Sequence, residues 1–498
     1  MAVRAHGSQE PDDLRGSVTR SIGWVVLERW GSRLLQLIVF AMLARLVTPA
    51  DFGLIALATA IVLVLKVIVE SGFAKSLIRL KQLEPKDAST AFWMSTMIAA
   101  VIYALLALAA PLVADLFGYP ELTALLRVLG LSLPITAMSQ TLIAIHEREF
   151  GFKVLSIRQL LAALAGAVAA VPVAYLGYGV WALVVQTMVT AVVQAVLLWQ
   201  TTDWHPRFTF SRQSLARLWP MGVTIMGTEL MDALQANVDK LIIGAFFGAD
   251  VLGYYYLAQR VGTILMELVT TVIARVSLTT FSRVQDDLPR LNRIFRQLTF
   301  AAGIVGVPVF ALTALFAPQL IPAVFGEGWE PAIPILWGLA AGWGLASVMY
   351  FDRPVLLARG EGISALWLAA LQNVVGIVLA LALVPLGVLG VVISRWARVF
   401  TWPVRLWVMR RKIALSVGAY LLQIGRALLA IVPAGVLVGL LQTTSWAHGE
   451  WALFNFAVPM ALASVISYGA IVWFIAGEEN RAALRPLIAS ARRRLARR

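Results

Sequence analysis

The sequence predicts an all-α polytopic membrane protein of about 14 transmembrane helices, built as two pseudo-symmetric six-helix lobes with two extra C-terminal helices. Three observations carry that expectation. Hydrophobic residues make up 60% of the 498-residue chain and charged residues only 14%, against roughly half and a quarter in a soluble domain; mean hydropathy is +0.82. Apolar stretches of about 20 residues, enough to cross ~30 Å of hydrocarbon, recur from end to end. The connections between them are alternately basic and base-free.

The first two stretches, roughly 24–47 and 52–74, flank Thr48-Pro49-Ala50-Asp51 and lead to Lys75, Arg79, Lys81 and Lys86. The next pair, roughly 91–115 and 122–145, turns over Asp115 to Glu121 and returns to Arg148, Lys153 and Arg158. Stretches at roughly 156–176 and 179–200 are joined by Gly177-Tyr178, a link short enough to require packed antiparallel neighbours; Arg207, Arg212 and Arg217 follow. Roughly 218–247 and 252–275 turn over Phe247 to Leu252 and lead to Arg275, Arg283, Arg290, Arg293 and Arg296. Roughly 295–317 and 332–352 turn over Pro318 to Glu330 and end at Arg353 and Arg359. Roughly 363–384 and 387–408 turn at Pro385 to Gly387 before Arg410, Arg411 and Lys412. The last pair, roughly 419–441 and 452–476, turns over Thr443 to Glu450 and runs into the tail Arg492, Arg493, Arg494, Arg497 and Arg498.

Among the intervening turns only the first, near Thr48, has a base, Arg45. Translocation selects against positive charge beside a span, so the basic connections belong in the cytoplasm. Both termini are then cytoplasmic and the number of crossings is even. Pro134, Pro172, Pro308, Pro334 and Pro433 lie in or near spans, where a proline kinks a helix. Arg127, Arg395, Arg398 and Arg426 lie near inner span ends and are expected to snorkel to the interface.

The chain also repeats. Gly53, Leu57 and Ala58 in the first outer turn have counterparts in Gly253, Leu257 and Ala258, two hundred residues on, at the same topological place. The expected organisation is a cytoplasmic segment 1–20, a first lobe 21–205 (spans 1–6) and a second lobe 206–412 (spans 7–12) of the same orientation. Two further spans, 413–476, and a basic cytoplasmic tail, 477–498, complete it.

Composition excludes several function classes. The net charge of +14 sits on the face opposed to anionic lipid, where each base contributes about 1 kcal/mol of attraction; membrane lipids, not nucleic acid, are the expected partner. There is no cysteine, hence no disulfide framework or thiolate metal site. His6, His146, His205 and His448 are scattered over loops and form no ligand cluster, so no cofactor or metal is expected. No Gly-rich Lys-Ser/Thr phosphate loop is present. The first twenty residues are polar and mixed in charge, without the apolar core of a cleaved signal peptide. Many of the 17 Trp lie near span ends, as an interfacial belt requires.

The stretch Ala44-Arg45-Leu46-Val47-Thr48-Pro49-Ala50-Asp51-Phe52-Gly53-Leu54, followed by Glu70-Ser71-Gly72-Phe73, resembles the opening hairpin of the polysaccharide transporter (Wzx-type) oligosaccharide-lipid flippases. These belong to the multidrug/oligosaccharidyl-lipid/polysaccharide exporter superfamily. Val238-Asp239-Lys240-Leu241-Ile242-Ile243-Gly244, ahead of Leu252-Gly253-Tyr254-Tyr255, resembles the start of that family's second half. The resemblance implies two six-helix lobes around a cavity that opens alternately to either side. It also implies a polyprenyl-pyrophosphate-linked oligosaccharide as cargo, carried from the cytoplasmic to the periplasmic leaflet of a bacterial inner membrane. Such cargo supplies exopolysaccharide, capsule or O-antigen synthesis, which brings polysaccharide polymerase machinery in as a partner.

The physics suits that task. A sugar-pyrophosphate head cannot enter hydrocarbon without losing its water uncompensated, so it needs a polar, cationic path while its lipid tail stays in the bilayer. Each elementary charge moved is worth about 2.3 kcal/mol per 100 mV, so a head near two negative charges gains roughly 4–5 kcal/mol going outward.

Ionisable residues inside spans are costly and face a cavity or a partner. Asp239 and Arg260 should lie at equal depth, about 12 Å from the turn between spans 7 and 8; Arg260 is then a pyrophosphate contact or one half of a structural Asp–Arg pair. On span 1, Arg29 and Arg33 share one face toward the cytoplasmic mouth, with Glu28 beside them. They line the path or snorkel. Lys66 and Glu70 form an i,i+4 pair on span 2; Lys66 is a fourth candidate substrate cation, with a plain surface pair as its other reading. Asp232 and Glu267 are each fifteen residues from the same turn. With Glu229 and Asp239 they are candidates to hold a coupling Na⁺ or H⁺; alternatively they face a wet vestibule or pair with Arg275. A drug or cation antiporter, or a peptidoglycan-precursor flippase, of the same superfamily is the competing transport reading. A membrane polysaccharide polymerase or ligase would need a sizeable outer loop with catalytic residues, and the outer connections are short; the chain is not expected to be an enzyme.

Overall fold

The computed structural model describes residues 35–71, 73–79, 84–149, 152–442 and 456–475, and among these every regular element is helical. Helix starts follow from local chemistry. In α2 (Pro49–Ser71) the backbone N–H of Asp51 donates to the Thr48 hydroxyl at 3.3 Å, and that hydroxyl donates to the Asp51 carboxylate at 2.7 Å. Pro49 sits at the first helical position, where its missing N–H costs nothing. The Thr-Pro-Ala-Asp motif is thus a helix start. Helix α4 (Pro85–Phe117) opens on a reciprocal cap between Glu84 and Asp87, again with proline at its start. Ser211 caps α9 (Arg212–Phe246), and Asp287 caps α11 (Leu288–Leu315) by accepting from the Arg290 N–H at 3.0 Å.

Every predicted stretch falls mostly on helix where it is described, with breaks at 45–47, Leu131, 349–351, 395–396, Thr401 and 430–431. The first is seen as α1 (Leu35–Ala44); 24–34 lie outside the described residues. Span 2 continues past Ser71 as α3 (Phe73–Arg79). Span 4 is divided into α5 (Glu121–Gly130) and α6 (Ser132–Arg148). The division lies where Pro134 lacks an N–H for the Gly130 carbonyl and its ring clashes there. Pro433 divides span 13 into α19 (Val417–Leu429) and α20 (Val432–Leu441) in the same way. Pro172 and Pro308, by contrast, lie inside the unbroken helices α7 (Phe152–Tyr175) and α11.

Among the described residues, nine helices are long and apolar enough to cross a membrane. Helices α9 and α10 (Ala249–Arg283) have 35 residues each but are not among the nine. They carry Glu229, Asp232, Asp239, Arg260 and Glu267, the ionisable residues flagged within spans 7 and 8, and Lys240 beside them.

The chain forms two compact units, Met1–Gly253 and Tyr254–Arg498. In the first, α7 lies against α8 (Val180–Thr201), joined through Gly177 and Gly179 at φ of +79° and +50°. Helix α2 packs along α9 and also touches α5, α6 and α8. The outer face of α4 is the reverse of a soluble helix: Met97, Val101, Leu105, Leu108, Leu112 and Leu116 recur at helical spacing and are 54–80% exposed. That stripe is built to face lipid. Where the echoed segments start, α2 and α10 meet backbone to backbone through Gly53 and Gly253.

In the second unit, α11 packs against α13 (Ala332–Val348) and α19, and α21 (Val458–Ile475) leans on α11, α19 and α20. Its main core joins Phe281, Phe295, Met349, Phe351, Ile413 and Tyr420. The Phe295 and Tyr420 rings stack at 5.6 Å.

Candidate functional site

Helices α2 and α9 pack along each other and carry Lys66, Glu70, Glu229, Asp232, Asn237, Asp239 and Lys240. The helices run antiparallel: the Leu57 side chain lies beside Gly244 at one end, and Lys75 of α3 meets Glu229 at the other. The Lys75 Nζ donates to both Glu229 carboxylate oxygens, at 2.6 and 2.7 Å. Both side chains are partly open, at 41% and 35% exposure. This pair stands at the end bearing the basic connections.

Between those ends, Lys66 and Glu70 bond along α2 at 3.3 Å, which is the i,i+4 pair that their spacing predicts. Across the seam, Asn237 is buried; its amide donates to the Ala233 carbonyl at 2.8 Å and its oxygen accepts from Lys240 Nζ at 3.0 Å. Asp239, two residues on and therefore on another side of α9, is also buried, while Asp232 is exposed. A seam so furnished offers three cations, Lys66, Lys75 and Lys240, and several carboxylates among apolar helices, the kind of lining that a polar path through hydrocarbon requires.

The remaining candidates divide plainly. Arg260 and Glu267 are half-buried on α10. Arg29 and Arg33, with Glu28, lie outside the described residues, as does the side chain of Arg275. Among the described residues no group of His, Asp or Glu is arranged to hold a metal ion.

Sequence reasoning missed a buried polar cluster in the second unit. Arg405, on α18 (Trp402–Ile413), is 5% exposed; it donates to Gln372 Oε1 at 2.6 Å and to Asp352 Oδ2 at 3.4 Å. Arg398 Nε reaches the same Gln372 oxygen at 3.4 Å, so its guanidinium is engaged inside the unit instead of snorkelling as expected. One signal was available. Arg405, Met409 and Ile413 recur at helical spacing on the buried face of α18, so the face that packs inward carries a guanidinium.

A second arrangement ties the segment between α8 and α9 to α4. Arg217 Nη2 donates to Asp87 Oδ1 at 2.7 Å, and Asp87 is fully buried. The Arg207 N–H donates to Ser89 Oγ at 3.2 Å, the Ser211 N–H to Thr90 Oγ1 at 3.1 Å, and Trp93 Nε1 to the Arg207 carbonyl at 2.9 Å. Phe208 stacks on Trp93 at 4.8 Å. The segment between α8 and α9 is therefore strapped to the first turns of α4, from Asp87 to Trp93.

Comparison with known proteins follows this geometry. The chain is 29% identical over 359 residues, 72% of each chain, to the succinoglycan biosynthesis transport protein ExoT of Rhizobium meliloti. It is 25% identical over 468 residues to the teichuronic acid biosynthesis protein TuaB of Bacillus subtilis, covering 92% of this chain and 95% of that one. The structure resembles the lipid II flippase MurJ in its inward closed conformation, with a TM-score of 0.71 and 16% identity over 91% of this chain and 99% of that one. At that identity the likeness speaks for the fold alone. Residues 42–334, more than half of the chain and including both echoed hairpins, match the polysaccharide biosynthesis protein family, and the chain belongs to it, as the Wzx-type resemblance of those hairpins implied.

Proposed function

We propose that this protein is a flippase that moves polyprenyl-pyrophosphate-linked oligosaccharide repeat units from the cytoplasmic to the periplasmic leaflet of a bacterial inner membrane. The observation that carries the reading is the family match over residues 42–334, and it is supported by Lys66 on α2, Lys240 on α9 and Arg260 on α10 within long helices. The basic connections face the cytoplasm and put both termini there. Transport proceeds by alternating access between the two repeats, and the product supplies polysaccharide assembly, with the polymerase machinery as the downstream partner.

In this reading Arg33, Arg260, Arg29 and Lys66 meet the pyrophosphate. Guanidinium groups suit it because they bind phosphate oxygens in a fork. Lys66 reaches the ligand by exchanging its Glu70 partner, an i,i+4 bond of a few tenths of a kcal/mol. Asp232, Glu267, Glu229 and Asp239 are the groups from which a coupling Na⁺ or H⁺ site is drawn. The inside-negative potential favours outward movement of the anionic head with or without such an ion.

The test is translocation of a fluorescent lipid-linked oligosaccharide in proteoliposomes, with lipid II as the competing cargo. Arg260→Ala should lower the rate by tenfold or more, and Arg260→Lys should retain more activity than alanine. Normal expression with unaltered transport in Arg260→Ala would remove Arg260 from the path. Efficient movement of lipid II with no movement of the oligosaccharide carrier would replace the cargo.

A further inference from the structure

The pair between Lys75 and Glu229 joins residues 154 positions apart, one on each repeat, at the basic end of the α2–α9 seam. Its geometry is close, with both carboxylate oxygens within 2.7 Å of the Nζ. Its setting is not that of a structural lock. Both side chains are more than a third exposed, and an ion pair so open to solvent contributes little net stability and exchanges readily. The Arg217–Asp87 and Arg405–Asp352 pairs differ on the acidic side: Asp87 and Asp352 are sealed from solvent, although Arg217 is as open as Lys75. A strong contact that is accessible, weakly held and placed between the repeats is suited to being broken on each cycle.

Lys75 has further anionic company. Glu147, on α6, lies near enough to feel its charge. Arg148 Nη1 donates to the Leu77 carbonyl at 3.1 Å, which fixes α3 beside α6. The backbone that carries Lys75 is thereby held while its side chain remains free to change partners.

We propose that Glu229 is a placeholder anion for Lys75, which the diphosphate of the cargo displaces at the cytoplasmic end of the seam. The inference rests on the flippase reading and adds a binding residue, Lys75, and a trigger. A carboxylate brings one negative charge to the ammonium, and a diphosphate brings about two with more acceptor oxygens, so the exchange favours the ligand. When Lys75 leaves Glu229 for the ligand, the ion pair between α3 and α9 is lost, and the two helices stay joined there only by the packing of Phe73 and Leu77 on Leu218 and Trp219, an apolar contact that does not fix their register. An unloaded carrier keeps the ion pair. Binding of cargo and release of that pair become one event, because the ligand has higher affinity for the released state.

A placeholder and a structural bridge predict opposite results for the two halves of the pair. The measurement is equilibrium binding of farnesyl diphosphate to purified protein in detergent, with farnesol as the uncharged control. Glu229→Gln should bind farnesyl diphosphate about tenfold more tightly than the parent, because the competing charge is gone. Lys75→Gln should bind it about tenfold more weakly, and neither change should alter farnesol binding. Glu229→Ala, checked for monodispersity by gel filtration, repeats the test if the glutamine variant misfolds. Equal weakening in both variants, or no change in Glu229→Gln, overturns the placeholder while leaving the flippase reading intact, provided that the parent binds the diphosphate and moves lipid-linked oligosaccharide. A parent that binds neither diphosphate nor carrier overturns both.

Discussion

Gly53 and Gly253 stand in a reciprocal relation: a Cβ on Gly53 would lie 1.8 Å from the Ala249 carbonyl oxygen, and one on Gly253 would lie 1.9 Å from that of Pro49. Each glycine faces the residue four positions before the other, so a local two-fold relates the segments 49–53 and 249–253. The echo seen in the sequence is therefore also a contact. Only glycine fits, because the neighbour is backbone and cannot rotate away.

Gly53→Ala and Gly253→Ala should each cost about 1–3 kcal/mol through overpacking, and by similar amounts because the contacts are equivalent. Thermal unfolding in detergent checks this. Gly435→Ala is the control, since a Cβ there meets nothing within 4 Å. Unfolding of Gly53→Ala at the parental temperature would mean that the backbones do not touch.

Arg405 is the most enclosed guanidinium bonded to a carboxylate in the second unit's described residues, and its loss leaves Asp352 buried without its ion partner. Arg405→Ala should lower stability by about 3–5 kcal/mol, the usual cost of removing one partner of a buried pair. Arg405→Lys should recover only part of this, because one ammonium cannot reproduce the fork between Gln372 and Asp352. Denaturant titration of the two variants separates charge from geometry.

Asp87 serves two purposes, accepting from the Glu84 N–H at 3.2 Å and from Arg217 at 2.7 Å. Asp87→Ala should destabilise by about 1–3 kcal/mol, as the loss of buried hydrogen bonds does. It should also loosen the segment between α8 and α9. Limited trypsin digestion reads this locally: cleavage after Arg207 and Arg212 should accelerate in the variant. Unchanged cleavage would show that the Ser89, Thr90 and Trp93 contacts hold the strap alone.

Glu361, in the connection before α15 (Gly362–Ala382), has its pKa lowered by hydrogen bonds from Lys412 at 2.9 Å and Ser364 at 3.0 Å. A folded-state value below the unfolded one gives a contribution that is present above the ordinary carboxylate pKa and lost as pH falls through the lowered value. The group is exposed, so the effect is small. Melting curves of the parent and Glu361→Gln should differ slightly at pH 7 and converge below about pH 4. A difference that persists in acid would assign the contribution to shape instead of charge.

The helices, their order and their outward faces were legible from the chain because a membrane imposes local rules. A span must satisfy its backbone internally over about 20 apolar residues, and capping residues such as Thr48 with Asp51 act within one turn. The Lys66–Glu70 bond was legible for the same reason, since helix geometry alone brings residues four apart together. The division of span 4 followed from Pro134, although Pro172 and Pro308 showed that a proline does not always break a helix.

Other relationships had no local cause. Lys75 read as one more cytoplasmic base and Glu229 as a coupling carboxylate; nothing within a few residues of either indicates the other. Nothing local to Arg405, inside the predicted stretch 387–408, indicates Asp352 or Gln372, which come from different helices. Such pairings depend on which helix faces meet, and that is decided by the fit of many apolar side chains across the whole bundle. The sequence by itself determined where the chain is helical, which ends are basic and that Gly53, Leu57 and Ala58 recur two hundred residues on, because each is read along the chain. Only the tertiary structure decided which charges meet, because an ion pair between distant segments exists where packing places them and not where the residues occur in the chain.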